Sequence, residues 1–250
     1  MINLLSTEFL KLKRSQLFLI SMLGAATSPF VCFIAYLGMK SKKPGVPILF
    51  NEVFSETNLY LVLLIGVTLY GVITAYLFNR EYTENTLKNI LTIPISRTRL
   101  FMSKLILLLI WILFLTMFAW GLTLIFGVIG QFQGLSAAVL MTAFKEYIVG
   151  GVLLFLLVTP TILVTLLCKN YVPSIVFTVA LTMVNVLIGN SEYRVLYPWS
   201  AVLVIARHDF ITQYPPVYSY LSIFATSLLG LLSFILKRRR FISGNALFAY

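Results

Sequence analysis

Sorted only into apolar and polar positions, the chain alternates long apolar runs with short polar breaks. Runs at 17–39, 59–78, 105–129, 148–168, 172–188 and 217–236 contain no Asp, Glu, His, Lys or Arg. Each is near or above the ~20 apolar residues that a helix needs to cross the hydrocarbon of a bilayer, the run at 172–188 being the shortest. The pattern therefore predicts an all-α integral membrane protein, one domain over residues 1–250, with six transmembrane helices. Pro29 and Pro160 fall inside runs and predict kinks. The breaks hold what the runs lack: Lys40, Lys42, Lys43, Pro44 and Pro47 in an outer loop, a polar segment at 79–104, a loop at 131–147, a tight turn at 169–171 and a long outer loop at 189–216. Within that last loop VLYPWSAVLVIA, at 195–206, is apolar but too short to span, and Pro198 interrupts its start. It is placed as an interfacial or re-entrant element on the outer face, with Tyr197 and Trp199 suited to headgroup depth.

Two shorter stretches show helical periodicity outside the runs. In residues 1–16, Ile2, Leu5, Phe9 and Leu12 recur on one face while Glu8, Lys11, Lys13 and Arg14 take the others, which predicts an amphipathic helix lying on the membrane surface. In the polar segment 79–104, Leu87, Ile90 and Leu91 fall at i, i+3 and i+4, with Glu84, Asn85, Lys88 and Asn89 on the other faces. Pro94 stops that short helix, and Ser96 is placed to cap the next. Such a helix is either a docking surface or a solvated loop with incidental periodicity, and the residues alone do not choose.

Composition narrows the class. The 250 residues are 60% hydrophobic and 11% charged, with mean hydropathy +0.96, whereas soluble domains are about half apolar and a quarter charged. The net charge of +11 does not indicate a nucleic-acid partner, because the basic residues sit in short clusters beside apolar runs. It reports topology. With the N-terminus in the cytoplasm, thirteen of the nineteen Lys and Arg lie inside, among them Lys11, Arg80, Lys88, Lys104 and the cluster Lys237 to Arg240. An even number of spans then puts both termini in the cytoplasm. The first residues lack the features of a cleavable signal, so the first span is expected to remain. Cys32 and Cys168 lie near opposite ends of different spans and read as small buried apolar residues.

Chemistry is sparse. No GxxxxGK[ST] run exists to cradle nucleotide phosphates. The sole histidine, His208, stands beside Asp209 in an outer loop and reads as a solvated pair, with no metal motif around it. The absence of ionisable residues from the spans argues against intramembrane proteolysis and ion-coupled transport. Asn185 and the threonines at 159, 161, 165 and 178 are the most polar groups at membrane depth, and helix-packing hydrogen bonds explain them better than substrate contacts.

The run Glu81, Glu84, Asn85, Thr86, Lys88, Leu91, Pro94, Ser96, Arg97 and Lys104 resembles the cytoplasmic-loop pattern of ABC-2-type permeases. EFLKLKRS at Glu8 to Ser15 resembles that family's elbow helix, and Pro198 to Ser200 its outer-loop element. Asn85 departs from the glycine of many members, but both residues tolerate a positive φ. The resemblance implies a dimer of identical or homologous permease chains in the bacterial cytoplasmic membrane, each docking a separate cytoplasmic ATPase that holds ATP and Mg. No cofactor is implied on this chain. It makes Glu84, Asn85, Thr86, Leu87, Lys88, Ile90 and Leu91 the ATPase-contacting coupling helix. It also implies a substrate path along the second and fifth spans, past Tyr70, Thr74, Thr178 and Asn185. The wording TLKNILTIPISR is most similar to permeases for antimicrobial and toxin peptides, and drug and polysaccharide exporters are the neighbouring branches. Outside the family, the alternative is a membrane scaffold or sensor whose loop docks another cytoplasmic partner.

Overall fold

The computed structural model describes residues 2–13, 15–43, 45–83, 97–168, 170–210 and 213–243. Among them the helices are α1 (Ile2–Lys13), α2 (Gln16–Lys42), α3 (Phe50–Tyr60), α4 (Val67–Thr83), α5 (Arg97–Ile129), α6 (Ala137–Leu156), α7 (Thr159–Cys168), α8 (Tyr171–Gly189), α9 (Pro198–Arg207) and α10 (Val217–Ser243). A π-helical turn, Leu61–Gly66, joins α3 to α4, and a 3-10 turn, Glu192–Val195, precedes α9. The fold is that of an all-α membrane protein. Among the described residues, five helical stretches are long and apolar enough to cross a bilayer: Gln16–Lys42, Phe50–Arg80, Arg99–Ile129, Ala137–Cys168 and Tyr171–Gly189. α10 adds a further helix with the shorter apolar stretch Val217–Leu232.

Two helices run well beyond their apolar stretches. α3 extends the second span back to Phe50 through Glu52 and Glu56, and α6 extends the fourth back to Ala137 through Lys145 and Glu146. Charge spoils a hydropathy criterion but not a helix, whose backbone satisfies itself. Local chemistry starts both helices: the Ser136 hydroxyl accepts from the Val139 N–H at 3.2 Å to cap α6. The Phe50 N–H donates to the Gln133 carbonyl at 2.9 Å, and the Gln133 N–H to Ile48 at 2.8 Å, tying the two helix entries together.

The stretch Phe50–Arg80 is the hub, with 67% of its span residues buried against 22–39% for the others. α4 packs on α2, α5, α6, α7 and α8. Lipid tails are as apolar as leucine, so this packing rests on close fit and hydrogen bonds more than on the hydrophobic effect. Three seams of the bundle bring a glycine against a threonine. A Cβ at Gly71 of α4 would stand 2.2 Å from Thr178 Cγ2 of α8, one at Gly151 of α6 2.8 Å from Thr116 Oγ1 of α5, and one at Gly230 of α10 2.6 Å from Thr159 Oγ1 of α7.

Backbone irregularities have named causes. Pro160 has no N–H to give the Leu156 carbonyl one turn back, and the helix breaks between α6 and α7. The Leu156 oxygen is instead taken by the Thr159 hydroxyl at 3.1 Å and the Ser227 hydroxyl of α10 at 3.2 Å. Pro29, by contrast, sits inside a continuous α2. In the π-helical turn the Leu63 carbonyl accepts from Asn185 Nδ2 at 2.9 Å.

Three expectations are corrected by the packing. The stretch at 195–206 does not lie on the surface of the bundle: every residue from Trp199 to Ala206 is buried, against α6, α8, α10 and the π-helical turn. Trp199 fills space between α4, α7 and α8 instead of reaching headgroups. On α1, Leu5 and Leu12 face inward as expected, but Phe9 is exposed and Glu8 is buried in its place, its carboxylate neutralised by Lys11 Nζ at 2.7 Å. The inward stripe follows i, i+3 and i+7 from Leu5, and a paired Glu8 can occupy it. Cys32 is buried, whereas Cys168 is exposed because it ends α7.

Candidate functional site

The polar residues at mid-span converge on the seam between α4 and α8. Tyr70, Thr74, Thr178 and Asn185 are all buried. The Thr74 hydroxyl donates to the Tyr70 carbonyl at 2.6 Å, Thr178 to the Ile175 carbonyl at 2.9 Å, and Asn185 reaches across to Leu63. One turn beyond Thr178, the hydroxyls of Thr68 and Thr182 meet at 2.7 Å. Tyr70 and Thr178 share a cavity of about 10 Å³ with Gly66, Gly71, Leu157 and Trp199, room for about one water molecule. The Tyr70 hydroxyl has no partner of good geometry there. Thr74 and Asn185 do not line it. The four residues thus lie along one seam, two on a common cavity, and all are sealed inside a single chain. A larger open pocket, about 430 Å³, lies elsewhere, between the end of α2 and the α5–α6 connection, lined by Lys40, Gln131 and Gln133 among others.

At the end of the bundle carrying Lys104, a polar cluster joins α1, α4 and α5. Lys104 Nζ, buried on α5, donates to the Leu77 carbonyl of α4 at 2.8 Å and lies 5.9 Å from the Phe78 ring. Arg80 Nη1 of α4 donates to the Lys11 carbonyl of α1 at 3.2 Å, and Asn79 is buried beside it in sequence. These bonds brace the two helices that flank residues 84–96. The proposed coupling residues Glu84, Asn85, Thr86, Leu87, Lys88, Ile90 and Leu91, with Pro94 and Ser96, lie outside the described residues.

At the opposite end a second cluster gathers residues that sequence reading missed. Arg207, last residue of α9, donates through Nη2 to the Ser55 carbonyl of α3. Burial pushes its guanidinium pKa below the usual range, while Glu146, Glu56 and Asp209 pull it back up. Asn58 is fully buried beside Glu146, and its amide atoms lack a hydrogen bond of good geometry. Asp209 pairs with Arg194 at 2.8 Å and not with His208, whose left-handed φ of 55° ends α9. Residues 56, 146 and 207 are far apart in sequence and no local pattern links them. The one available signal was that Glu56 and Glu146 each stand just before an apolar run.

Comparison with known proteins bears on the whole bundle. The family model described as "ABC-2 family transporter protein" matches residues 4–185. The chain belongs to the ABC-2 transporter family. Among curated relatives it is similar to the bacitracin transport permease protein BCRB of Bacillus licheniformis, 62% identical over 195 residues, which covers 78% of this chain and 94% of the relative. No solved structure matches it. The ABC-2 match takes in α1 through most of α8, and so the seam, the Lys104 cluster and residues 84–96, whereas α9 and α10 lie beyond its last residue.

Proposed function

We propose that this chain is the membrane-spanning subunit of an ATP-driven exporter of an amphipathic antimicrobial peptide, with bacitracin the first substrate to test. The observation that carries the reading is the 62% identity to a bacitracin transport permease over most of both chains. A peptide with apolar and polar faces also suits a bundle whose spans carry hydroxyls and amides but, over their apolar runs, no charge.

In this reading a separate cytoplasmic ATPase binds and hydrolyses ATP with Mg, and residues 84–91 dock against it with Leu87, Ile90 and Leu91 as apolar anchors. The partner permease chain is identical or homologous. Movement of the docked segment passes directly into α4 and α5, which flank it, and into α1 through the Arg80 bond to Lys11. α4 and α8 part along the seam of Tyr70, Thr74, Thr178 and Asn185, exposing hydroxyls and amides that are now turned inward. The scheme is rigid-body alternating access.

The test is resistance. A bacitracin-sensitive bacterium expressing the chain together with the ATPase that co-purifies with it should tolerate more bacitracin, and the chain alone, or with an ATPase lacking its phosphate-loop lysine, should not. Unchanged sensitivity with both subunits assembled in the membrane would overturn the substrate assignment.

A further inference from the structure

The segment of residues 195–209, which contains α9, is held at its two ends by different means. Its start is tied to the neighbouring helices: the Tyr197 hydroxyl donates to the Leu181 carbonyl of α8 at 3.1 Å, and the Ser219 hydroxyl of α10 donates to the Val195 carbonyl at 3.1 Å. Its far end faces α3 and α6, and among the described residues one hydrogen bond joins α9 to either of them, Arg207 to the Ser55 carbonyl. The other contacts between α9 and α6 include the packing of apolar side chains. The carboxylates of Glu56 of α3, Glu146 of α6 and Asp209, which follows α9, also act on the charge of this guanidinium.

We propose that Arg207 is a positioning residue that latches the far end of α9 shut against α3 and α6. It touches no substrate. Its bond to a main-chain carbonyl sets where α9 ends, and the flanking Glu56 and Glu146 carboxylates keep its charge compensated in a partly buried place. The tight turn that follows fixes its direction, since the His208 N–H returns to Ile205 at 3.3 Å and the Asp209 N–H to Val204 at 3.1 Å. Release of this bond loosens the far end of α9 while its start stays tied to α8 and α10. The far half of α9 then swings as a flap and uncovers the buried faces of Leu203 to Ala206. The inference depends on the transport reading only for the purpose of that opening.

Thiol accessibility tests it without ATP, substrate or a partner. In lipid nanodiscs, full-length protein carrying C32A and C168S would receive a reporter cysteine at Val204 of α9, buried at 3% exposure, or at Leu108 of α5, at 0%. Arg207→Ala should raise the rate of labelling at Val204→Cys by a soluble maleimide about 10- to 100-fold, the range for losing a charged hydrogen bond. Leu108→Cys should stay protected, and Arg207→Lys, which keeps the charge and N–H donors on a shorter, unforked head, should restore most of the shielding at 204. The latch is refuted if Arg207→Ala leaves the 204 rate unchanged, and equally if both reporters open together, which would make Arg207 a general stabiliser. Failure of peptide resistance with the labelling pattern intact would count against the transport reading alone.

Discussion

The α4–α8 seam makes Gly71→Ala the most informative single change. A methyl group at 71 would stand 2.2 Å from Thr178 Cγ2 and 2.8 Å from its Cβ, where ordinary contact begins at 3.4 Å. Thr178 cannot simply rotate away, because Cβ moves only with its backbone and a β-branched side chain has few χ1 options in a helix. The helices must therefore part by roughly an ångström. Overpacking of that kind costs about 1 to 3 kcal/mol. The same displacement stretches the Thr68–Thr182 contact of 2.7 Å beyond hydrogen-bonding range, and intramembrane bonds of this type are worth about 0.6 kcal/mol each. A loss near 2 to 3 kcal/mol is expected, read as a lower detergent or thermal unfolding midpoint for purified protein. Thr178→Ala in the Gly71→Ala background removes the 2.2 Å contact and leaves the 2.8 Å one, so the double variant should recover part of the loss and show favourable coupling in a double-mutant cycle. If Gly71→Ala unfolds like wild type, or if Thr178→Ala adds to the damage instead of relieving it, the close packing of this seam does not hold the bundle together.

Three other predictions follow from separate parts of the chain. Leu87→Asp or Leu91→Asp should abolish pull-down of the ATPase at normal membrane abundance, at a cost of ~2 to 4 kcal/mol of association for a charge stranded in a desolvated contact, while Lys88→Ala, a rim charge, should cost ~0 to 1 kcal/mol. Retention of the ATPase by both Asp variants would remove the coupling-helix assignment. Asn185→Ala deletes the donor to Leu63 in the π-helical turn and should lower stability by about 0.6 to 1.7 kcal/mol, measured as a shift in unfolding midpoint. A cysteine added near Tyr250 should resist impermeant thiol reagents in intact cells and react after lysis, and reaction in intact cells would reverse the charge-based topology.

Sequence pattern reached the helical membrane class because a run without charge is itself the physical requirement for a span. It stopped short where helices carry charge at their ends. Phe50 to Asn58 and Ala137 to Tyr147 were expected as loop, since Glu52, Glu56, Lys145 and Glu146 violate apolar continuity, yet both stretches are helix with one buried side. Of the candidate residues, Thr178 and Asn185 were visible as polar groups in apolar surroundings, Tyr70 and Thr74 entered only through the family resemblance, and the structure sets all four on one seam. Glu8 was assigned to solvent because charge was taken to mean exposure, and the Lys11 pairing that lets it be buried is a contact rather than a pattern. Arg207 was counted only as a loop charge. Ser55, which accepts its hydrogen bond, and Glu146, which acts on its charge, lie far away along the chain, and only the folded bundle brings the three together.

The three glycine–threonine contacts bear on how such a bundle can change over evolutionary time. At 71 with 178, 151 with 116 and 230 with 159, the threonine of one helix occupies the space that a side chain on the other helix's glycine would need, so the glycine is not free to grow alone. A lineage that gains a methyl group on one side must shed one on the other, or insert a compensating shift in the whole helix. Across descendants of this chain these three pairs should exchange size reciprocally, while the lipid-facing residues between them vary with little memory of their neighbours.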